Sequence, residues 1–544
     1  MLCASTRSTL WAGKGGVCYK SVLDLMIRKY SRSCALLAFT CSVAAASWLT
    51  FGGDSQRSGW AKDETTISTE SVKQFQLLWK LKLDNQAKQL NSLTSPIVIN
   101  PVYTNHGAET YVVVGGSSDN LYVIDADAGK IVWQKHFTND GPPPSGPQSS
   151  GSYFCPNALN DTPVIHTRGQ EGPTVYVISI DGKLHALNIV NGEDRFPPKQ
   201  FVPAYSKNWS LNFAGDVIYT TTSQGCAQAK SGVWAMDLNS PDKPVSVFQS
   251  DPYGGGIWGR GGASIGHAGT VFAETGDGPF DPNNGKYGDS FIALSPKELK
   301  LLDYYTPANA TYLTRKDLDM GSSTPVVFTY KGRELLVGSG KEGTLFLLDA
   351  KSLGGDTHRK PLFQSPLYAN EGADIAGRGF WGAFASWEDS KGNRWIYAPA
   401  WGPVSSKAPP FPVTNGPAEN GSIMAFKVED KDGQPVLAPA WVSRDMAVPE
   451  PPVVANGVVF SISSGEFTRQ VKENGALYTA EERIQKSTGN ATLYAFDAVT
   501  GKELFSSGKT MPSFTHLGAL AVSDGRVFAT TFDSTVYAFG VKGE

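Results

Sequence analysis

Apolar and polar residues alternate along most of the chain in one recurring phrase. An alternating strand ends at a polar residue, a short turn often closes with glycine, and a second strand follows, as in LYVIDADAGKIVW and LYAFDAVTGKELF. Alternation over four or five residues is typical of half-buried strands, and glycine supplies the positive φ of such turns. We count eight copies, at 121–133, 184–196, 233–248, 291–305, 345–363, 423–441, 493–505 and 536–544.

Further apolar strands lie between the copies, so one unit is about four strands long. Radial repetition of such units predicts an all-β fold, a single eight-bladed β-propeller of four-stranded antiparallel blades. The last copy ends soon after Phe539, whereas Leu77–Leu83 resembles a second strand without a first. We therefore predict that the N- and C-terminal strands close one blade, which removes an exposed sheet edge. The helix candidates are Ser295–Leu302 and Thr479–Ile484.

The first 46 residues differ from the repeats. Arg28, Lys29 and Arg32 precede the apolar run CALLAFTCSVAAA. This pattern predicts a signal peptide over 26–46, cleaved before Ser47, with 1–25 as a non-native upstream extension. The apolar run is too short for a membrane-spanning helix. We expect the mature chain, 47–544, to be one propeller domain without a membrane span, located in the periplasm or secreted.

Cysteine usage and charge narrow the classes of function. Beyond the predicted cleavage point only Cys155 and Cys226 remain, which suggests one disulfide in an exported protein, the alternative being two buried free thiols. Loss of 1–46 would remove six basic residues and one acidic residue and make the net charge of −3 more negative. This charge argues against nucleic acid as a partner. The haem motif Cys-x-x-Cys-His and the motif His-Glu-x-x-His do not occur.

The stretch from Pro252 to Leu294 concentrates the residue types of a binding site. It contains GGGIWG, then TGDGPFDP, then GDS. Glycines let backbone approach a flat ligand closely, and clustered Asp and Asn suit a hard cation. The alternative is ordinary turn chemistry between strands, which uses the same residue types.

Together with the repeat and the opening FGGDSQRSGW, these elements resemble the quinoprotein propellers that bind pyrroloquinoline quinone (PQQ). The resemblance covers nearly the whole predicted mature chain and extends to quinoprotein alcohol dehydrogenases. It implies that Trp258 stacks on the quinone and that Asp277 binds a metal ion such as Ca²⁺. Asp317 and Asp319 would compete for the position of the catalytic base, and Lys341 would contact the quinone oxygens.

Each of these residues also has a purely structural interpretation. Trp258 could pack blades together, Asp277 could accept hydrogen bonds from backbone amides in a turn, and Asp317 with Asp319 could cap a loop. Lys341 could be a solvated lysine of a hairpin.

Two departures from the family pattern bear on function. The loop SQGCAQ after Val217–Thr222 lacks the metal-binding Glu of the family, and the adjacent cysteine pair of the dehydrogenases is absent. Only Cys155 stands at that place, with Cys226 as its expected partner. We therefore predict an exported, non-catalytic or degenerate propeller that serves as a binding platform for a protein partner. The alternative is a PQQ- and Ca-dependent oxidoreductase that oxidises an alcohol or sugar and passes electrons to a separate carrier. Convergence of the three aspartates near Trp258 would favour the enzyme.

Overall fold

Strands dominate the protein, as the repeat predicts. The computed structural model describes residues 46–139, 141–142, 152, 154–167, 172–251, 254–375, 377–467, 469–516 and 518–543. The predicted upstream extension and all but the last residue of the predicted signal peptide lie outside these ranges, as do the first two residues of the stretch that begins at Pro252.

Eight antiparallel sheets, each with four main strands, form an eight-bladed β-propeller, which confirms the predicted fold class. Blades 1 to 4 comprise Ile97–Thr104, Gly107–Gly116, Asn120–Asp125 and Lys130–His136; Val164–His166, Thr174–Ile178, Lys183–Asn188 and Lys199–Gln200; Lys207–Asn208 with Asn212–Ala214, Val217–Ser223, Ser231–Asp237 and Val245–Asp251; and Ser264–Ile265, Val271–Glu274, Phe291–Leu294 and Leu301–Tyr305. Blades 5 to 8 comprise Val326–Tyr330, Arg333–Gly338, Thr344–Asp349 and Phe363–Leu367; Gly379–Phe380 with Ala385–Glu388, Arg394–Trp401, Gly421–Lys431 and Gln434–Val442; Val453–Ala455, Val458–Ser463, Thr492–Asp497 and Glu503–Ser506; and Ala521–Ser523, Arg526–Thr531, Thr535–Gly540 and Gln76–Lys82.

The remaining strands are short and lie at blade edges or in loops. Trp60–Ala61 pairs in parallel with the first strand of blade 7, and Val413–Thr414 pairs in parallel with the fourth strand of blade 6. The other two pairs are Phe280–Asp281 with Lys286–Tyr287, and Ser323–Thr324 with Gly382–Ala383.

Blade 8 is built from both ends of the described chain. Gln76–Lys82 pairs antiparallel with Thr535–Gly540, so that Trp79 lies opposite Ala538 and Leu81 opposite Val536. The predicted closure is confirmed, because the N-terminal strand supplies the fourth strand that the C-terminal copy lacks.

Adjacent blades share apolar clusters, and these clusters explain the alternation in the repeat. In blade 1, Val112 and Val114 belong to the cluster shared with blades 7 and 8, whereas Val113 belongs to the cluster shared with blade 2. Successive side chains of a strand point to opposite faces of its sheet. Each blade therefore packs apolar residues against both neighbours.

The glycine of the repeated turn receives a tryptophan from the neighbouring blade. Trp133 Nε1 donates a 2.8 Å hydrogen bond to the carbonyl oxygen of Ile189, and a Cβ on Gly192 would lie 2.9 Å from the Trp133 ring. Trp79 and Trp441 make the equivalent contacts with the turns that contain Gly129 and Gly501. Positive φ values of 62°, 72° and 70° at the three glycines confirm the predicted turn geometry.

Helices are few among the described residues. Helix α2, Ala480–Lys486, begins after a capping box in which Thr479 and Glu482 exchange side-chain to backbone hydrogen bonds, close to the predicted position. The helix predicted at Ser295–Leu302 is wrong, because a turn with positive φ at Lys297 and Leu299 leads there into a strand. Helix α1, Ala310–Lys316, has no counterpart in the sequence-based prediction. Single 3₁₀ turns cover Ser71–Gln74, Cys226–Gln228, Pro282–Asn284, Met320–Ser322 and Gly355–Thr357.

No helix in the described part of the chain has the length and apolar character needed to cross a membrane.

Cys155 and Cys226 form a disulfide with their Cα atoms 5.5 Å apart. The bond joins the segment before blade 2 to the loop between the second and third strands of blade 3. The predicted disulfide is confirmed, and the alternative of two free thiols is wrong.

Candidate functional site

A cavity of about 950 Å³ lies where loops of several blades converge, and all five predicted site residues line it. The sequence predicted only that these residues belong to one site, whereas the structure shows which others join them. The other lining residues are Phe154, Lys207, Trp209, Gln224, Gly225, Gln228, Ala229, Lys230, Ser231, Gln249, Gly254, Gly256, Arg260, Ser322, Ile375, Trp381, Trp401, Gln470, Val471, Leu477, Arg483 and His516.

Glycines bring the backbone segments of the site into direct contact. The Gly276 amide donates a 2.9 Å hydrogen bond to the Gly256 carbonyl oxygen, which joins the TGDGP turn to the GGGIWG segment. A Cβ on Gly276 would collide with the Asp319 carboxylate and lie 3.1 Å from Trp258 Nε1. Glycine is therefore required here by close approach of side chains, not by an unusual φ.

Asp277, Asp317 and Asp319, which we call the acidic cluster, converge on one point. One carboxylate oxygen from each lies within 4.8 Å of the others. Lys341 Nζ lies 2.5 Å from Asp317 Oδ1 and 2.7 Å from Asp319 Oδ2. Lys341 thus contributes the counter-charge of the acidic cluster. Because its side chain is only 6% exposed, the alternative interpretation as a solvated lysine of a hairpin is disfavoured.

Asp319 is the most tightly held member of the acidic cluster. Its Oδ1 accepts hydrogen bonds from the Asp277 amide at 2.8 Å and from Trp258 Nε1 at 3.4 Å, in addition to the Lys341 contact. Asp317, in contrast, ends helix α1 in a left-handed conformation with φ 52°, and 52% of its side chain is exposed. The two aspartates therefore differ in how freely they could exchange a proton.

Asp289, to which the sequence analysis assigned no role, holds segments that flank the acidic cluster. Its Oδ1 accepts a 3.1 Å hydrogen bond from the Met320 amide, and its Oδ2 accepts a 2.7 Å hydrogen bond from Thr314 Oγ1 in helix α1. Thr314 Oγ1 also donates to the Gly278 carbonyl oxygen. The GDS motif gave a signal for this residue, because it lies within the same glycine-rich stretch.

Burial and mutual repulsion set the charges of the acidic cluster. Burial, followed by the charges of Asp319, Asp289 and Asp317, raises the pKa of Asp277 to about 9. Burial likewise raises the pKa of Asp317, to about 6. Burial opposes ionisation of Asp319 as well, but Lys341 and the donated hydrogen bonds lower its pKa to about 2. Asp319 is thus the permanent anion of the group.

An aromatic wall lies beside the acidic cluster. The half-buried Trp258 meets Trp381 edge to face, with ring centroids 5.3 Å apart, and Trp381 stacks on Trp401 at 4.4 Å. Lys341 Nζ lies 5.4 Å from the ring centroids of both Trp258 and Trp381. Trp258 therefore packs against another tryptophan and also lines the cavity, so the two sequence-based interpretations of this residue are compatible.

The acidic cluster has the donor set of a hard-cation site. Ca²⁺ and similar ions take oxygen ligands from carboxylates. Asp277 Oδ1 is buried and has no hydrogen-bond partner among the described residues. In this arrangement Lys341 neutralises only one of the negative charges of the cluster. These observations fit a bound cation, which would satisfy the orphaned oxygen and reverse the pKa shift of Asp277.

The two departures from the family pattern also lie at this cavity. Gln224, Gly225 and Gln228 line it, so the loop without the expected Glu reaches the site with amides. Phe154, next to Cys155, lines it as well. The Cys155–Cys226 disulfide therefore fixes two segments of the cavity wall to one another.

Sequence reasoning missed a set of basic residues on the same cavity. They are Lys207 in blade 3, Arg260 directly after the GGGIWG segment, Arg483 in helix α2 and His516 in the segment before blade 8. They are spread over about 300 positions and share no motif, so no local signal could have brought them together. We call these four residues the basic wall.

Comparisons with known proteins agree with this architecture. A family model described as PQQ_2, outer membrane protein assembly factor BamB, matches residues 63–243. The protein 1-butanol dehydrogenase (cytochrome c) from Thauera butanivorans is 23% identical over 539 residues, which cover 87% of this chain and 72% of that protein.

Two solved structures share the fold. Quinohemoprotein alcohol dehydrogenase from Comamonas testosteroni superposes with a TM-score of 0.54 and 14% identity, over 93% of this chain and 82% of that one. A europium-containing methanol dehydrogenase superposes with a TM-score of 0.56 and 13% identity, over 91% of this chain and 98% of that one. The chain is therefore similar to the PQQ-type quinoprotein β-propellers and is related to quinoprotein alcohol dehydrogenases.

Proposed function

We propose that this protein is an exported oxidoreductase that uses PQQ and a bound cation, Ca²⁺ or a lanthanide, to oxidise a CH–OH group of an alcohol or sugar. The observation that supports this best is the convergence of Asp277, Asp317 and Asp319 with Lys341 beside Trp258. The Cys155–Cys226 disulfide is compatible with an oxidising compartment, the periplasm or the exterior.

The residues divide the tasks of such a site. Asp277 and Asp319 would hold the cation, since Asp277 offers an unpartnered oxygen and Asp319 is the permanent anion. Trp258 would supply a flat apolar face for the quinone, and Lys341 a positive charge close to that face. When bound, PQQ would supply an acceptor for the two electrons and one proton that leave the carbon as hydride, and the hydroxyl proton would go to a base of the protein.

Asp317 is the better candidate for the base. Its side chain is half-exposed and pairs with Lys341 Nζ, whereas Asp319 is buried and has three donors around it. A base must reach the hydroxyl proton and be able to take it up. Asp317 would accept the hydroxyl proton and later release it to solvent at the cavity mouth.

Electron transfer to a separate carrier completes the proposal. The chain has no covalent haem motif, and the relative from Thauera butanivorans carries cytochrome c in its name. A soluble carrier of that kind is the partner that the proposed oxidation requires.

A titration tests the proposal directly. Residues 47–544 would be titrated with PQQ in the presence of Ca²⁺ or a lanthanide, with tryptophan fluorescence as the signal. We expect saturable, cation-dependent quenching, at least about tenfold weaker in Trp258→Ala, because the stacked face is lost. Trp133→Phe, a tryptophan outside the cavity, is the control and should bind as the unsubstituted protein does. Alcohol-dependent reduction of an artificial acceptor would then identify the substrate.

A second candidate is the binding platform without catalysis. The amide-lined loop of Gln224 and Gln228, in place of the family's metal-binding Glu, favours it. The description of the matching family model also names an assembly factor. Absence of quenching with either cation at millimolar PQQ would support this platform and contradict the oxidoreductase.

A further inference from the structure

Glu274 is an acidic residue buried at the junction between blades 4 and 5. It ends the second strand of blade 4, Val271–Glu274, and is fully buried. A Cβ on Gly338, which ends the second strand of blade 5, would collide with the Glu274 carboxyl group. The side chain of Glu274 therefore reaches the neighbouring blade through space that the glycine leaves open.

Ser323 and Ser339, both buried, surround the carboxyl group of Glu274. Ser323 Oγ lies 2.6 Å from Glu274 Oε2 and 2.8 Å from the Ser339 carbonyl oxygen. It also accepts a 3.3 Å hydrogen bond from the Ser339 amide. These contacts join three segments, which are the second strand of blade 4, the short strand Ser323–Thr324 and the loop after Arg333–Gly338.

A count of protons in this contact indicates the charge of Glu274. The Ser323 hydroxyl has one proton to donate, whereas the Ser339 carbonyl oxygen can only accept. If Ser323 donates to that carbonyl, its contact with Oε2 needs a proton from Glu274. An ionised Glu274 would take the serine proton and leave Ser323 Oγ and the Ser339 carbonyl oxygen 2.8 Å apart without a proton between them. The contacts are therefore complete only when Glu274 is a neutral carboxylic acid.

The surroundings of Glu274 agree with this protonation state. Its Oε1 is buried and has no hydrogen-bond partner among the described residues. Burial of an incompletely paired carboxylate costs far more free energy when the group is ionised than when it is neutral. Burial raises the pKa of Glu274 well above its usual value, although the Ser323 hydrogen bond opposes the shift. Glu274 thus makes its contacts without adding a negative charge beside the acidic cluster.

The three segments that Glu274 joins are those that carry the candidate site. Asp277 lies three residues beyond Glu274. Asp319 lies four residues before Ser323, and Lys341 lies two residues beyond the second serine. The amides of Asp277 and Lys341 both donate to Asp319, to Oδ1 at 2.8 Å and to the carbonyl oxygen at 3.0 Å. The segments therefore meet twice, once at Asp319 and once at the buried glutamate.

We propose that Glu274 is a positioning residue of the acidic cluster. As a neutral carboxylic acid that donates to Ser323, it fixes the separation of the segments that carry Asp277, Asp319 and Lys341. The proposal rests on the proposed function, because it assigns Glu274 to the cation site of that function. Glu274 is not among the described residues that line the cavity, so it acts only through the segments it joins. Glutamine would keep a donor and an acceptor in the same shape, whereas alanine would keep neither.

Binding of Tb³⁺ to residues 47–544 tests this role. The signal is Tb³⁺ emission sensitised by nearby tryptophan, and Asp277→Asn should remove the part that arises at the acidic cluster. We expect about tenfold weaker binding in Glu274→Ala and in Ser323→Ala, because the carboxylates no longer converge, and less than about a twofold change in Glu274→Gln. Val527→Ala, in the core shared by blades 7, 8 and 1, controls for lost stability and should bind as the unsubstituted protein does.

Hydrogen exchange in the cation-free protein tests the same role without a ligand. The amides of Asp277 and Lys341 report whether the three segments keep their places. We expect both amides to exchange at least about tenfold faster in Glu274→Ala than in the unsubstituted protein or in Glu274→Gln. Infrared difference spectra between the unsubstituted protein and Glu274→Gln at pH 7 should contain the carbonyl stretch of a protonated carboxylic acid. If Glu274→Ala does not fold, Ser323→Ala decides in its place.

The outcomes separate this proposal from the proposed function. Unchanged exchange of the two amides in Glu274→Ala, or unchanged Tb³⁺ affinity, overturns the positioning role. A Glu274→Gln variant that behaves like Glu274→Ala, or absence of the carboxylic acid stretch, overturns the neutral state. Failure of the unsubstituted protein to bind Tb³⁺ overturns the cation site of the proposed function, while hydrogen exchange still decides the role of Glu274.

Discussion

At the scale of single residues, Asp277 combines a candidate binding role with a cost in stability. The side chain is half-buried, one oxygen has no hydrogen-bond partner among the described residues, and three other aspartates repel its charge. Its pKa is about 9 in the folded protein and near 3.8 in an ordinary environment. Because the folded state holds the proton more tightly, this residue costs stability progressively as pH rises from about 4 towards 9.

We predict that Asp277→Ala stabilises the cation-free protein at pH 8 and has little effect near pH 4. The gain should be about 1 kcal/mol, since partial exposure screens the repulsion. Urea unfolding at both pH values measures it. Ca²⁺ should then stabilise the unsubstituted protein but not the variant.

Asp281→Ala, in the same loop but outside the cavity, is the matched control. Equal stabilisation of both variants by Ca²⁺, or no gain in Asp277→Ala at pH 8, would contradict a cation site at the acidic cluster.

At the scale of elements, the turn between the third and fourth strands of a blade also connects that blade to its neighbour. Gly192 has φ 72°, and a Cβ there would lie 2.9 Å from the Trp133 ring, whereas Gly332 has φ 78° with open space around it. We predict that Gly332→Ala costs about 1–2 kcal/mol from backbone strain, and that Gly192→Ala costs about 1–3 kcal/mol more because it displaces Trp133.

Urea unfolding of both alanine variants measures this difference. The double variant Trp133→Ala, Gly192→Ala tests the cause, since removal of the indole should abolish the extra penalty of the alanine. Additive effects would show that Trp133 does not determine the requirement for glycine.

The elements also show what the sequence could and could not predict. The strand pattern repeats with a clear period, because every blade must pack apolar side chains against a neighbouring blade on each of its two faces. The segment PKELKLL has helical spacing of apolar residues, but positive φ at Lys297 and Leu299 turns the chain into a strand. Helix α1 has only seven residues and is anchored by Thr314 to Asp289, a tertiary contact that no local pattern reveals.

The candidate site divides in the same way. Trp258, Asp277, Asp317, Asp319 and Lys341 stand in short motifs that the family resemblance could match, and they line one cavity. The basic wall could not be predicted, because its members come from four distant segments and become neighbours only when the propeller closes. The composition of a loop therefore predicts which functional residues that loop contains. Which residues from other blades line the same cavity depends on how the propeller closes.

At the scale of the whole molecule, closure of the ring through blade 8 should dominate stability. Leu81 and Lys135 occupy equivalent positions in fourth strands, opposite Val536 in blade 8 and Leu121 in blade 1. Hydrogen-bonded pairs alternate along an antiparallel ladder. Because the Leu83 amide donates to Ser534 and the Phe137 amide to Asp119, the amides of Leu81 and Lys135 also face the neighbouring strand, and proline at either position removes a backbone donor from the sheet. In blade 1 the loss is local, at about 1 kcal/mol. In blade 8 it weakens the strand that joins the two ends of the chain.

We therefore predict that Leu81→Pro, compared with Leu81→Ala, lowers the free energy of unfolding by at least about 2 kcal/mol more than Lys135→Pro does compared with Lys135→Ala, because an open ring also exposes the apolar cluster shared by blades 7, 8 and 1. Urea unfolding of the four variants measures the difference, and size-exclusion chromatography should show self-association of Leu81→Pro through its free sheet edge. If both proline variants lose equal stability and remain monomeric, the ring does not depend on this strand pairing, and blade-to-blade packing alone must hold it closed.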